Sequence, residues 1–139
     1  MNFSELNLSN EILRAVQEMG YEDATDIQIG SIPSILEGKD VTGRSNTGTG
    51  KTAAFGLPIV QRTADNPDRS SVLILAPTRE LALQITGEMR KYSKYLPNIG
   101  VACIYGGQPM NRQIHALKKA RIVVGTPGRI IDHMRRKTL

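Results

Sequence analysis

Apolar positions in the first forty residues recur at helical spacing. Ile12, Leu13, Val16 and Met19 line one face of a short helix, with Ser9 as its N-cap and Gly20 as its stop. Ile27, Ile32, Ile35 and Leu36 mark a second helix ending near Gly38, and Pro33 predicts a kink or a restart within it. From Val41 onward the period changes, and short β-rich runs alternate with helical stretches. Val41 and Thr42 precede a helix over 51–64, and 72–76 precedes one from 78 to about 94. The run 101–105 precedes 110–119, and 122–124 precedes 128 to about 136. This βαβα series predicts an α/β fold, a parallel sheet flanked by helices. Runs such as Val72-Leu73-Ile74-Leu75 predict strands buried on both faces. Polar stretches at 65–71 and at Leu96-Pro97-Asn98 separate elements without dividing the chain. One domain over 1–139 is expected, with two helices in 1–38 ahead of an α/β core at 39–139.

Ligands of open α/β sheets collect at the carboxyl ends of the strands. Four segments fall there: 43–52, Pro77-Thr78-Arg79-Glu80-Leu81, Gly106-Gly107-Gln108-Pro109 and Thr126-Pro127-Gly128-Arg129. The first contains Ser45-Asn46-Thr47-Gly48-Thr49-Gly50-Lys51-Thr52, a phosphate-binding loop. Gly48 and Gly50 allow a tight turn whose N–H groups face phosphate oxygens, aided by the positive end of the helix starting near Lys51. Lys51 reaches the β- and γ-phosphates, and the Thr52 hydroxyl can ligate Mg²⁺. Ser45 stands where the general G-x-x-x-x-G-K-[ST] pattern has its first glycine. A Gly/Thr-rich surface turn is the bland alternative, but the apolar approach before the loop and the helix-capable Ala53-Ala54-Phe55 after it fit the phosphate reading. The three later segments can present helix-start N–H groups, hydroxyls and guanidinium to phosphates spaced along a nucleic-acid strand. Each taken singly also fits a plain helix cap. Gln28 carries an amide that donates and accepts, a group able to read an adenine edge bidentately.

Composition narrows the classes. The 139 residues are 40% hydrophobic and 22% charged, as in an ordinary globular protein. The longest aliphatic run, 72–76, is far short of a membrane span. The N-terminus, Met1-Asn2-Phe3-Ser4-Glu5, lacks a basic region and a long apolar stretch, so a cytoplasmic location is expected. Cys103 is the only cysteine, which excludes an internal disulfide and a cysteine-based zinc site, and it reads as a buried strand position. His115 and His133 show no paired ligand spacing and read as surface or structural residues. Residues 1–40 hold eight acids against Arg14 and Lys39, whereas 111–139 hold eight Lys or Arg against Asp132 alone. Such a basic end can attract a phosphate backbone or simply be a solvated helix face.

These residues resemble the DEAD-box ATP-dependent RNA helicases along the whole chain. Phe3 followed by Gly20-Tyr21-Glu22-Asp23-Ala24-Thr25-Asp26-Ile27-Gln28 is similar to the family's Q motif. The resemblance implies that Gln28 recognises adenine, Tyr21 packs against the base, Thr25 supports the site and Phe3 covers it. Residues 45–52 resemble motif I, Pro77-Thr78-Arg79-Glu80-Leu81-Ala82 motif Ia, Gly106-Gly107 the GG element and Thr126-Pro127-Gly128-Arg129 motif Ib. Pro77, Thr78, Arg79, Gly106, Gly107, Thr126, Pro127, Gly128 and Arg129 are thereby implied to contact an RNA backbone without reading its bases. The implied fold is the front part of a RecA-like, P-loop NTPase domain, with ATP and Mg²⁺ as cofactors, RNA and a second RecA-like domain as partners, and no membrane. Ala24 and Asp26 stand where the family often has proline, and Ser45-Asn46 where it usually has Ala-Gln.

No Asp-Glu-Ala-Asp segment occurs in the 139 residues. Phosphoryl transfer needs Mg²⁺ held by such a carboxylate, a group positioning the water and usually an arginine finger. Here Lys51 and Thr52 are the candidate catalytic residues and Thr52 the only evident metal ligand. The chain alone is therefore expected to lack ATPase and unwinding activity, the parent protein being an RNA helicase. Two other classes stay open: a non-enzymatic module binding adenine nucleotide or RNA, and another P-loop NTPase such as a DNA translocase.

Overall fold

The computed structural model describes residues 1–45, 50–66 and 72–139. A 3-10 turn at Phe3–Glu5 leads into helices α1 (Asn10–Glu18), α2 (Asp26–Leu36) and α3 (Lys51–Asp65). Strand β1 (Val72–Leu75), α4 (Arg79–Tyr92), β2 (Val101–Ile104), α5 (Met110–Lys119), β3 (Ile122–Gly125) and α6 (Pro127–Arg135) complete the series. The βαβα alternation is realised, and α5 has the bounds its periodicity predicts.

Strand β3 lies at the centre of the sheet. It pairs in parallel with β1 on one side and β2 on the other, giving the order β1-β3-β2. Val72 and Val101 both align with Ile122, and Leu75 and Ile104 both align with Gly125. All four β3 residues are buried, as an unbroken apolar run in a central strand requires.

Strand β1 departs from that expectation. Ile74 is buried, but Leu73 is 45% and Leu75 55% exposed. The strand is an outer one of the three, and alternation puts residues 73 and 75 on the face opposite Ile74. A second correction concerns Val41 and Thr42, which form no strand. Two β-prone residues between Asp40 and Gly43 have no ladder partner among the described residues, and a strand exists only through its ladder.

The chain divides into two compact units, residues 1–67 with 88–97, and residues 68–87 with 98–139. In the first, α2 and α3 pack closely and bury Ile32, Leu57 and Val60. Ser9 caps α1 by accepting from the Ile12 N–H, and its own N–H donates to Gln61 Oε1 on α3 at 2.7 Å. Pro33 brings no restart, for α2 runs through it to Leu36. An internal proline costs about 3 kcal/mol through its lost N–H bond, and the packing of α2 on α3 offsets that cost. Gly56 lets α3 approach the last turn of α4, since a Cβ there would lie 2.8 Å from the Tyr92 ring and 2.9 Å from Met89 Sδ.

The second unit builds its core from both sheet and helices. Ala102, Ile104, Val123 and Ile130 form a buried cluster, with Ala116 and Leu117 of α5 packed against it. Cys103 lies on β2 and is half-buried.

Candidate functional site

The start of α2 is organised around Thr25. Its hydroxyl accepts from the Gln28 N–H at 3.4 Å, and Gln28 Oε1 accepts from the Thr25 N–H at 2.9 Å. This reciprocal capping box follows from the Thr-x-x-Gln spacing. The other end of the same amide reaches the phosphate loop, where Gln28 Nε2 donates to the Gly50 carbonyl at 3.2 Å. Gly50 is the N-cap of α3 with φ +86°, a left-handed conformation suited to glycine. A Cβ at position 50 would lie 2.9 Å from Thr25 Oγ1 and 3.0 Å from Gln28 Nε2. Glycine is thus required twice, by backbone conformation and by close approach.

Lys51 and Thr52 follow at the positive end of α3, Lys51 exposed and Thr52 half-buried. Ser45 is described and half-buried, whereas Asn46, Thr47, Gly48 and Thr49 lie outside the described residues. A glycine cradle, a following lysine and a helix N-terminus suit a polyphosphate. For a metal ion the donor set is thinner: among the described residues no group of three His, Cys, Asp or Glu is placed to hold one. Thr52 is the oxygen donor that motif I offers. The cavity beside Lys51, about 270 Å³, is lined by Ile27, Ile35, Val41 and Phe55 together with Ser31, an apolar wall unlike a phosphate site.

Phe3 and Tyr21 are brought together, their rings stacked with centroids 6.1 Å apart. Two backbone features hold them so: Asn2 bridges Asp23 in antiparallel fashion, and the Ala24 N–H donates to the Met1 carbonyl at 2.9 Å. Phe3 is buried and Tyr21 half-buried, so the aromatic upstream residue packs as a backing for Tyr21. Burial pushes the Tyr21 hydroxyl above its usual pKa, so it stays protonated, with Tyr92 and Glu88 as its neighbours.

In the second unit the three segments expected to contact nucleic acid open helices or turns after β1, β2 and β3. Pro77, Thr78 and Arg79 are exposed, and the Thr78 hydroxyl accepts from the Leu81 N–H at 3.2 Å as a cap of α4. Gly106 and Gly107 form an exposed turn, Gly107 at φ +97°. Thr126 is the N-cap of α6 without a side-chain cap bond, Pro127 occupies the first turn, and Pro127 and Gly128 are exposed. Arg79 stacks its guanidinium 4.9 Å from the Tyr105 ring centroid.

Arg129 is half-buried, and its Nη1 donates to the Gln108 carbonyl at 3.1 Å and to Gln113 Oε1 at 3.2 Å. Gln113 also donates to the Tyr105 carbonyl at 2.8 Å and to Gln108 Oε1 at 3.0 Å, and faces His133 Nε2 at 2.8 Å. His133 is fully buried, as a structural histidine should be, while His115 is exposed. Burial, seconded by the Arg129 charge, holds the His133 pKa below the usual histidine range. Gln108 falls in the Gly106-Gly107-Gln108-Pro109 segment, whereas Tyr105, Gln113 and His133 have no part in the motif reading. The available signal was Gln113 itself, a polar residue one turn from Leu117 on the buried face of α5.

Among known proteins, the DEAD/DEAH box helicase family profile matches residues 25–139. A DEAD-box ATP-dependent RNA helicase CshA of Bacillus cereus is 51% identical over 138 residues, covering 99% of this chain and 26% of its own length. The Geobacillus kaustophilus protein of the same name is also 51% identical, with 29% of its length covered. A DEAD box protein structure from Methanococcus jannaschii superposes with TM-score 0.91 at 46% identity, over all of this chain and 38% of its own. The chain thus spans about a quarter of the length of these curated relatives.

Proposed function

Because the chain belongs to the DEAD/DEAH box helicase family, we propose that it is the ATP-binding and RNA-backbone-contacting portion of an ATP-dependent RNA helicase with a RecA-like α/β fold. The observation that carries the nucleotide half is the Gln28 to Gly50 bond, which ties a group able to read adenine to the turn that presents Lys51. Among the described residues, Gln28 spends one lone pair on Thr25 and one N–H on Gly50, leaving one of each for an adenine edge.

Bound ATP supplies the phosphoanhydride, and Mg²⁺ would neutralise charge on its phosphates. Within this chain, Gly50 and the start of α3 offer N–H groups to phosphate, Lys51 adds a cation and Thr52 a hydroxyl for the metal. Tyr21, backed by Phe3, offers an aromatic face to the base. The acid that completes the Mg²⁺ shell, the group that orients water and the arginine finger are assigned to other parts of the protein, a second RecA-like domain included. The 139 residues alone therefore bind without hydrolysing. A cytoplasmic location belongs to the same reading.

RNA is assigned to Thr78, Arg79, the 106–107 turn, Thr126, Gly128 and Arg129, all contacts to phosphate and sugar. The basic residues of α5 and α6, exposed at Arg112, Lys118, Lys119, Arg135 and Arg136, add a sequence-independent attraction. Titration of labelled ATP and GTP against the chain tests the first half: preference for ATP that disappears in Gln28→Ala is expected, and equal affinity for both removes it. RNA-stimulated ATPase activity of the full-length protein tests the second, and its absence would sink the helicase reading.

A further inference from the structure

Gln113 is 2% exposed and uses every hydrogen-bonding site of its amide. The Tyr105 carbonyl can only accept, so the amide nitrogen must face it, and its second N–H meets Gln108 Oε1. That choice turns Oε1 toward Arg129 Nη1 and His133 Nε2. The oxygen in turn only accepts, so His133 carries its proton on Nε2 and leaves Nδ1 facing Thr138 Oγ1 at 2.7 Å. One backbone carbonyl thereby fixes an amide, a tautomer and an arginine.

The amide satisfies the Tyr105 carbonyl, Arg129 and the buried His133 at once, a use beyond packing. Position 113 lies on the face of α5 that packs Ala116 and Leu117 against the core cluster, where a leucine of like volume would bury more apolar area. What the amide adds is a link between two exposed segments. The 106–108 turn has little packing of its own, for a Cβ at Gly106 or Gly107 would meet nothing within 4 Å. Its placement rests on Gln108, bonded through its side chain to the Tyr105 hydroxyl and to Gln113, and through its carbonyl to Arg129.

We propose that Gln113, oriented by the Tyr105 carbonyl, is a positioning residue for RNA binding that holds Arg129 and the 106–108 turn in one fixed relation, so that both engage the phosphate backbone together. The inference rests on the RNA-contact reading of those segments. Gln113 is neutral and buried and releases no counterion of its own, so any change it causes in salt dependence reports contacts made by other groups.

The test is fluorescence anisotropy of labelled oligouridylate over a salt series with the wild-type chain, Gln113→Leu and Gln113→Glu. Gln113→Leu is expected to lower RNA affinity about tenfold, the scale of one lost charge-assisted hydrogen bond. Its slope of log affinity against log salt should become shallower by about 0.7, one cationic contact on a single strand. Gln113→Glu keeps acceptor oxygens for Arg129 and His133 but loses both donors, so it should restore the slope while affinity stays below wild type. Labelled ATP should bind all three equally. If wild type binds RNA and both variants match it in affinity and slope, the positioning role is overturned while the RNA reading stands. If wild type itself fails to bind RNA, that reading falls and this inference with it. Should Gln113→Leu not fold, Gln113→Glu and the half-buried Gln108→Ala decide, and wild-type affinity in both overturns the proposal.

Discussion

Gln28 Nε2 donates to the Gly50 carbonyl across 3.2 Å, so the side chain that closes the N-terminus of α2 also holds the residue that opens α3. Cap, turn and helix start are joined through one amide. On the proposed nucleotide reading, a change at either residue should be felt in both stability and nucleotide binding.

Replacing Gln28 by alanine removes half of the capping box and the bond to Gly50, and should lower unfolding free energy by about 1–2 kcal/mol in urea melts. An unchanged midpoint would show that the capping box contributes nothing. Gly50→Ala should cost about 1–2 kcal/mol from the left-handed backbone alone, with a further penalty from its contacts to Thr25 and Gln28. Its ATP affinity should fall as well, because the carbonyl that Gln28 holds must move.

Gly56→Ala introduces a methyl against the Tyr92 ring and Met89, both fully buried. Overpacking of this kind costs about 1–3 kcal/mol, even though alanine is intrinsically the better helix former. A variant as stable as wild type would mean that α3 and the end of α4 separate at no cost. Thermal melting of the two proteins side by side decides it.

His133 should titrate below about 6.5, the unperturbed histidine value, since burial and the charges of Arg129 and Arg136 outweigh the attraction of Asp132. A pKa depressed in the fold means that the unfolded chain binds more protons between the two values. Stability is therefore full above the unfolded pKa and falls as pH drops from there toward the folded one. Proton NMR titration of the His133 ring gives the midpoint, and a value at or above the ordinary one would show that burial and the arginine charges do not outweigh Asp132.

Arg79 is exposed and rests on the Tyr105 ring, which keeps its charge accessible while restricting its motion. Arg79→Ala should weaken oligouridylate binding and make its salt slope shallower by about 0.7. Tyr105→Leu should weaken binding less, because the Arg79 charge remains and only its resting place on the ring is lost. Equal slopes in wild type and Arg79→Ala would exclude a phosphate contact by this residue.

Much of the fold was legible because periodicity reports burial directly. Ser9 as cap, Gly20 as stop and the bounds of α5 follow from local chemistry that the structure repeats. Val41 and Thr42 misled because a strand depends on a partner that two residues cannot specify. Pro33 brought no restart because packing of α2 on α3 outweighs the local penalty. In the candidate nucleotide site, residue types and spacing marked Gln28, Gly50 and Lys51, Thr25 came from the family resemblance, and the Thr-x-x-Gln capping box was there to be read. Gln113 left only a faint signal: a polar side chain within an apolar stripe looks like noise until the groups around it are known.

The strand order also sets a schedule for synthesis. Neither β1 nor β2 pairs with the other, and both wait for β3, whose first residue, Ile122, comes well after Leu75 ends the first strand. At translation speeds of about 5–20 residues per second, the first strand stays unpaired for several seconds after it is made. For that interval the edge of β1 that β3 will cover is open to other chains, and it is the emergence of residues 122–125 from the ribosome that ends the exposure of that edge.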